Sequence, residues 1–264
     1  MTATTTEGSA ATQGALWGAH PADWAETEAR QLPVYRAVAD RVGIAPRDRV
    51  LDLGCGAGTF LGLAAGHGAR VAGLDAAESL LAIAAECVPG ADLRAGDLER
   101  LPWDDDAFDL VTGFNSFFFA ADMGAALAEA ARVARPDADV VIQVWGRPER
   151  CDVGAMIAAM GRLKGAEPGA PAGPPLWQPG VVEELARAAG LTPRLAFDAS
   201  CVFDYPDEDA LVRGMAAAGG VVQAAAVAGD EAVRRAILDS LAPFRAADGS
   251  YRLSNEWHQV VATA

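Results

Sequence analysis

The run Leu51-Asp52-Leu53-Gly54-Cys55-Gly56-Ala57-Gly58-Thr59 spaces three glycines as G-x-G-x-G directly after a short apolar stretch. Glycine lets the backbone turn tightly and approach a ligand that a Cβ would obstruct. A turn of this kind leaves peptide N–H groups free at the start of the helix that follows. Asp75 closes a second apolar run, 17 residues beyond Gly58. A carboxylate there can accept both ribose hydroxyls of an adenosine, or cap the next helix. A nicotinamide fingerprint would be G-x-G-x-x-G, whose third glycine falls on Thr59. No hydride-handling His or Tyr-Lys pair is apparent either, which argues against a dehydrogenase.

Such a loop needs a strand before it and a helix after it. Val50, Leu51 and Leu53 supply the strand, and an Ala- and Leu-rich stretch to Gly66 supplies the helix. Val71–Leu74 reads as a second buried strand, Ala77–Cys87 as a helix and Asp92–Ala95 as a third strand. Phe108–Phe114 is a fourth strand, Met123–Ala134 an amphipathic helix and Asp139–Trp145 a fifth strand. Strands alternating with helices imply a parallel, doubly wound sheet with both faces covered. Ligands of such sheets sit beyond the carboxyl ends of the strands, where the glycine loop lies.

The flanks are less regular. Met1–Gly14 is small and polar without periodicity and is expected to be a floppy leader. Helices are expected at Pro21–Gln31 and Pro33–Arg41. After the fifth strand come a helix at Asp152–Lys164, a Pro- and Gly-rich loop or lid at residues 165–180, and a helix at Gly180–Ala189. A strand at Leu191–Asp204, two Ala-rich helices at Asp207–Ala218 and Asp230–Leu241, and a final strand at Tyr251–Ala262 complete the chain.

Composition narrows the function. The 264 residues are 52% hydrophobic, enough for a full-sized core, and 21 Lys and Arg against 36 Asp and Glu give a net charge of -15. That charge repels phosphate backbones and anionic membranes, so neither nucleic acid nor membrane is expected as a partner. Cys55, Cys87, Cys151 and Cys201 lie far apart with no C-x-x-C pair, so no metal site and no disulfide framework is expected. No apolar run approaches the roughly 20 residues of a membrane span. The first residues lack the basic and apolar regions of a signal peptide. A cytoplasmic protein is expected.

Four ordered runs carry a resemblance: RVLDLGCGAGTF, VAGLDAAESLL, AGDLERLPWDDDAFDLVTGFNSF and EAARVARPDADVVIQVW, together spanning residues 49–145. In these the chain resembles the class I S-adenosylmethionine-dependent methyltransferases, in particular the small-molecule branch related to quinone and sterol C-methyltransferases. The resemblance implies an α/β, Rossmann-like, doubly wound sheet of seven mostly parallel strands with the last antiparallel. An N-terminal helical lid and a helical insertion before the last strand go with it. The division expected is a disordered leader (1–14), the lid (15–45), a cofactor-binding core (46–148) and a C-terminal part with loop and cap insertions (149–264).

The resemblance implies S-adenosylmethionine as cofactor and a role for each matching residue. Asp52, Gly54, Gly56 and Gly58 would surround its methionine and ribose, Asp75 would hold the ribose hydroxyls, and Ala76 would lie against adenine. Asp97 and Leu98 would meet the adenine edge and ring, and Asn115 would sit below the sulfonium. A cation without phosphates suits carboxylates and carbonyls in place of a Lys or Arg clamp. Two departures stand out. Pro136-Asp137-Ala138 replaces the usual Pro-Gly-Gly, at a turn remote from the cofactor. Asn115-Ser116-Phe117-Phe118 lacks the two prolines and aromatic of the amide- and adenine-methylating members, which argues against those substrates.

On the acceptor side, Phe117, Phe118 and Phe119 cannot all face one way, so at least one belongs to the core. Phe118, Trp145 and Trp17 are expected to line the acceptor pocket, with Trp24 anchoring its helix. An apolar or aromatic small molecule follows as acceptor. Catalytic residues are not identifiable, with His20 in the lid the one histidine placed to act as a base. His67 is expected on the opposite edge and His258 too far along the last strand. Two other functions are compatible with the same residues: a protein that keeps the cofactor while catalysing a cyclisation or rearrangement, and a non-enzymatic binding module. The sequence leaves the oligomeric state open.

Overall fold

The computed structural model describes residues 8–167 and 175–264. Three helices lead: α1 (Ala10–Trp17), α2 (Pro21–Ala29) and α3 (Leu32–Val42). An alternating series follows: β1 (Arg49–Leu53), α4 (Thr59–Gly66), β2 (Arg70–Asp75), α5 (Glu78–Cys87), β3 (Asp92–Ala95), β4 (Phe108–Phe114), α6 (Met123–Val133) and β5 (Ala134–Trp145). Then come α7 (Gly154–Leu163), α8 (Val181–Ala188), β6 (Thr192–Tyr205), α9 (Glu208–Ala216), α10 (Gly219–Ala228), α11 (Asp230–Leu241) and β7 (Tyr251–Thr263).

The seven strands form one sheet in the order β3-β2-β1-β4-β5-β7-β6. β1 through β5 pair in parallel, and β7 runs antiparallel between β5 and β6. This is the sheet expected from the sequence. Successive strand side chains point to opposite faces. Leu51, Leu53, Val111 and Ile142 therefore pack with α6 and α8, while Val50, Leu110, Val141 and Val261 pack with α3 and α4. A further core joins α7, α9, α10 and α11 to Phe203, Leu253 and Trp257 of the antiparallel edge.

Two expectations are corrected. The leader expected to be floppy through Gly14 is helical from Ala10 onward. Its order comes from tertiary contacts that no periodicity announces: the Asp97 carboxylate accepts from the Ala10 N–H at 3.0 Å, and Trp17 at the other end packs on Trp24. Residues 1–7 lie outside the described residues, as do 168–174 of the expected loop. The insertion before β7 holds three helices where two were expected. The additional helix, α10, opens on Gly219-Gly220, which looks like a break in sequence. Gly219 is there for space, since a Cβ on it would stand 2.9 Å from the Trp17 ring.

The three phenylalanines after β4 divide their work. Phe117 is fully buried among Leu127, Val140 and their neighbours, and it lies so close to Gly113 that a Cβ on that glycine would enter its ring. Phe118 and Phe119 turn toward the cleft, with ring centroids 4.6 Å apart. Phe117→Ala is expected to lower the unfolding free energy by about 3–5 kcal/mol in urea denaturation, and Phe118→Ala clearly less. Equal losses would mean that Phe118 is the ring that anchors this turn.

Candidate functional site

The site begins where β1 ends. The N–H groups of Gly54 and Cys55 both donate to the Leu74 carbonyl, at 2.7 and 3.0 Å, so the glycine loop is tied to the neighbouring strand. Gly54 and Gly56 have φ of 74° and 54°, a region that favours glycine. A Cβ on Gly54 would lie 2.5 Å from Ser116, and one on Gly56 would run into the Glu28 carboxylate. Gly58 is placed differently from the expectation: it precedes α4 and faces Ala84 of α5, outside the lining of the cleft.

Asp75, at the end of β2, serves the loop and the next helix together. Its Oδ2 accepts from the Gly56 N–H and its Oδ1 from the Ala77 N–H, each at 2.8 Å. Asp75 is not itself the N-cap, which is Ala77; its carboxylate fixes the turn into α5 and also lines the cleft. Asp52 is buried within β1, where its Oδ1 accepts from the Thr112 hydroxyl at 2.7 Å. Asn115 ends β4 with φ 55°, its N–H held by the Gln143 carbonyl. Its side-chain Oδ1 is buried without a partner and the residue lines the cleft. Ala76 and Leu98 line the cleft as well. Asp97 does so while both its oxygens are engaged, one by Ala10 N–H and the other by Glu99 N–H.

Sequence reasoning missed Glu28. Its carboxylate is buried beneath the lid, with Oε2 accepting from Ala57 N–H at 2.8 Å and Oε1 from Thr59 N–H at 2.9 Å. One side chain from α2 thus satisfies two free donors at the start of α4, where negative charge is favoured. Trp24, Glu28, Gln31 and Tyr35 all line the cleft, at near-helical spacing. That spacing was the available signal. An acid and an amide inside an apolar stripe mark a polar target on the facing element.

Burial raises the carboxyls of Glu28, Asp52 and Asp75 above the ordinary carboxylate range, Asp52 well above it. Hydrogen bonds to the charged forms offset part of the rise, and repulsion from its acidic neighbours adds to that of Asp52. Their partners are N–H and O–H donors, not cations. The site is therefore poor in positive charge and rich in acceptors, including the orphaned Asn115 Oδ1. It matches a ligand that brings its own cation and donors, as S-adenosylmethionine does with a sulfonium, an ammonium and ribose hydroxyls. Among the described residues no group of three or more His, Cys, Asp or Glu could hold a metal ion, and no helix is long and apolar enough to cross a membrane.

The cleft continues past Asn115 into an apolar half, giving one cavity of about 540 Å³. Trp145, Met156, Met160, Phe203, Met215 and Val221 line this half. Trp145 is held in place by stacking on Trp257, ring centroids 5.3 Å apart. Trp17 lines the cleft between the two halves, 5.3 Å from Phe119 and 4.5 Å from Trp24 by ring centroids. The three residues expected at the acceptor, Trp17, Phe118 and Trp145, are thus brought together. His20 is not: it is exposed at the start of α2 and outside the cleft lining, and the exposed His67 and the buried His258 lie outside that lining too.

Glu28→Ala leaves two amides of the glycine loop without their acceptor, and about 1–3 kcal/mol of stability should be lost. Hydrogen exchange of residues 10–31 should speed up in the same variant, because α2 loses its attachment. Unchanged protection of that segment would mean that the tryptophan contacts alone hold it.

Residues 51–142 match a family described as a methyltransferase domain. Demethylmenaquinone methyltransferase from Renibacterium salmoninarum is 35% identical over 113 residues, covering 43% of this chain and 48% of that protein. Ubiquinone biosynthesis O-methyltransferase from Hahella chejuensis is 32% identical over 149 residues, 53% of this chain and 63% of its own length. The chain therefore spans about half the length of such relatives. The YcgJ protein from Bacillus subtilis has the same fold, with a TM-score of 0.55 at 22% identity, covering 87% of this chain and 98% of that one. Motifs, sheet and relatives agree that residues 51–142 form a methyltransferase domain, similar to those of enzymes that use S-adenosylmethionine as cofactor.

Proposed function

We propose that the protein transfers a methyl group from S-adenosylmethionine to a small, apolar or aromatic acceptor in the cytoplasm. The observation that carries this reading is the continuity of the cavity: an acceptor-rich polar half and an apolar half meet at Asn115, Phe118 and Trp145. A binding module has no need of the two chemistries side by side. The named activities of the quinone-modifying relatives point to the same class of acceptor.

S-adenosylmethionine supplies a methyl group on a cationic sulfur, open to in-line displacement. The residues of this chain bind, orient and exclude water. Asp75 receives the ribose hydroxyls on lone pairs not used by Gly56 and Ala77, and Ala76 and Leu98 flank the adenine. Asp52 and Asn115 accept from the cationic end, with Gly54 and Gly56 giving the close backbone approach. Asp97 contributes by keeping α1 over the cleft. Trp17, Phe118 and Trp145 close the acceptor half, so that proximity, alignment and desolvation lower the barrier. Among the described residues no histidine lines the cleft. A phenol or enol acceptor would lose its proton to water or to one of the neighbouring carboxylates.

The test is incubation with S-adenosylmethionine and extracts of small acceptors, followed by a search for products heavier by one methyl group. Binding of S-adenosylmethionine and S-adenosylhomocysteine is read by calorimetry. Tight binding of NAD and none of either adenosyl ligand would overturn the proposal.

The raised carboxyls fix a pH dependence. In the free protein Glu28, Asp52 and Asp75 keep their protons to higher pH than ordinary carboxyls, whereas a bound sulfonium favours their charged forms. S-adenosylmethionine should bind more tightly as pH rises through these raised values and should release protons on binding. S-adenosylhomocysteine, whose sulfur is neutral, should respond less. An affinity ratio that does not change as pH rises above the ordinary carboxylate range would show that the carboxyls do not sense the cation. At a pH above the raised value of Asp52, Asp52→Asn keeps an acceptor for Thr112 and removes a buried charge, so it should raise the melting temperature of the free protein. The same change should weaken S-adenosylmethionine about tenfold.

His20→Ala and His258→Ala are each expected to lower kcat by less than about tenfold, against about 10²- to 10⁴-fold for a positioned base. A thousandfold loss in either, with cofactor affinity unchanged, would point to an oxygen acceptor of high pKa that needs a base.

A further inference from the structure

We propose that the acceptor is an elongated apolar molecule with an anionic group, a carboxylate or its equivalent, at the end remote from the methylated atom, and that Lys164 binds this anion. The inference rests on the methyltransferase reading of the cleft and adds the charge, length and orientation of the acceptor.

Lys164 is the sole lysine among the chain's 21 basic residues. It is also the only cationic side chain lining the cavity among the described residues. Its position follows from α7: Val153, Met156, Ile157, Met160 and Lys164 all line the cavity, at the spacing of one helix face. Val153 precedes the first turn, near the sheet and Trp145, and Lys164 follows the last turn at the outer end. At 1.5 Å per residue these ends are about 16 Å apart, with methionine and isoleucine side chains between. The ammonium donates to Gln223 Oε1 of α10 at 3.1 Å. A neutral partner orients the group and leaves its charge and two donors unused.

The rest of the lining sets the direction. Its four acids, Glu28, Asp52, Asp75 and Asp97, all belong to the cofactor half. An anionic group on the acceptor is repelled by that half, and it finds no ionic partner in the apolar stretch, where an unpaired charge is costly. Lys164 at the exposed end is where it loses least solvation and gains a charge-assisted bond. With the anion there, the opposite end of the acceptor is driven toward Phe118, Trp145 and the sulfonium. One charge at the mouth thus selects both a class of acceptor and its orientation.

The proposal can be tested before any acceptor is known, using two fluorescent probes that share a ring skeleton. Anilinonaphthalene sulfonate carries an anion, and phenylnaphthylamine does not. Both are titrated into the full chain saturated with S-adenosylhomocysteine, in the wild type and in Lys164→Gln, Lys164→Glu and Lys164→Arg, each checked for an unchanged melting temperature. Lys164→Gln should bind the sulfonate about five- to tenfold more weakly, Lys164→Glu more weakly still, and Lys164→Arg nearly as well as the wild type. The uncharged probe should bind all four proteins alike. Sulfonate affinity indifferent to Lys164, or equal weakening of both probes in Lys164→Gln, would overturn the inference while leaving the methyltransferase reading in place. Failure of S-adenosylhomocysteine itself to bind in calorimetry would overturn that reading instead.

Discussion

Three carboxylates share one cleft without a cationic partner, and the architecture around them depends on how their charge is tolerated. Glu28, Asp52 and Asp75 come from the lid, from β1 and from β2, and each is met by N–H or O–H donors. Burial works against all three charges. The glycine loop answers this locally, because its free amides point at Glu28 and Asp75 and the missing Cβ of Gly56 lets the Glu28 carboxylate approach. A Lys or Arg would neutralise the cluster more completely, but it would also take the place of a cationic ligand. The site is held in a state that a sulfonium completes.

The same economy links the lid to the core. Glu28 reaches from α2 to the glycine loop, and Asp97 reaches from the core to the first amide of α1. Ser79 Oγ adds a bond to the Gly18 carbonyl, from α5 to the turn after α1. Thr27 Oγ1 and Arg30 Nε donate to the Gly214 and Asp204 carbonyls, and the packing of Trp17 on Trp24 and Phe119 adds to these polar attachments.

The parts of the protein legible in its sequence are those specified by neighbours in the chain. The glycine loop, Asp75 at the end of β2, and the alternation of strands and helices each follow from local pattern, whereas the seven strands with the last antiparallel came with the family resemblance. Tertiary demands were not legible. α10 begins on two glycines because Trp17 occupies the space beside Gly219, a contact between residues about 200 positions apart. α1 lacks a hydrophobic stripe and is capped by a carboxylate 87 residues away. Glu28 sat within a readable helix, but its role depends on which element faces it. The Asp97 carboxylate, expected at adenine, lines the cleft while both its oxygens accept from backbone amides, a use that its motif does not reveal.

This division matches a division of labour in the cleft. The half built from β1, β2 and β4 is shaped by glycine geometry and buried acids, which leave little freedom for the ligand it can take. The other half is shaped by side chains from α7, α9, α10 and the antiparallel edge, where methionines fill irregular space and adapt to what they contact. Its shape can change by substitution without disturbing the sheet, since the core behind it is separate from those under the parallel strands. What constrains that half is electrostatic: the chain is strongly acidic, its cofactor half carries acids, and a single lysine stands at the far end. An acceptor with no charge would feel this gradient only weakly and would be ordered by shape alone. An acceptor with one anionic end would be turned by it before any close contact forms, and it would reach the reactive end of the cleft already aligned.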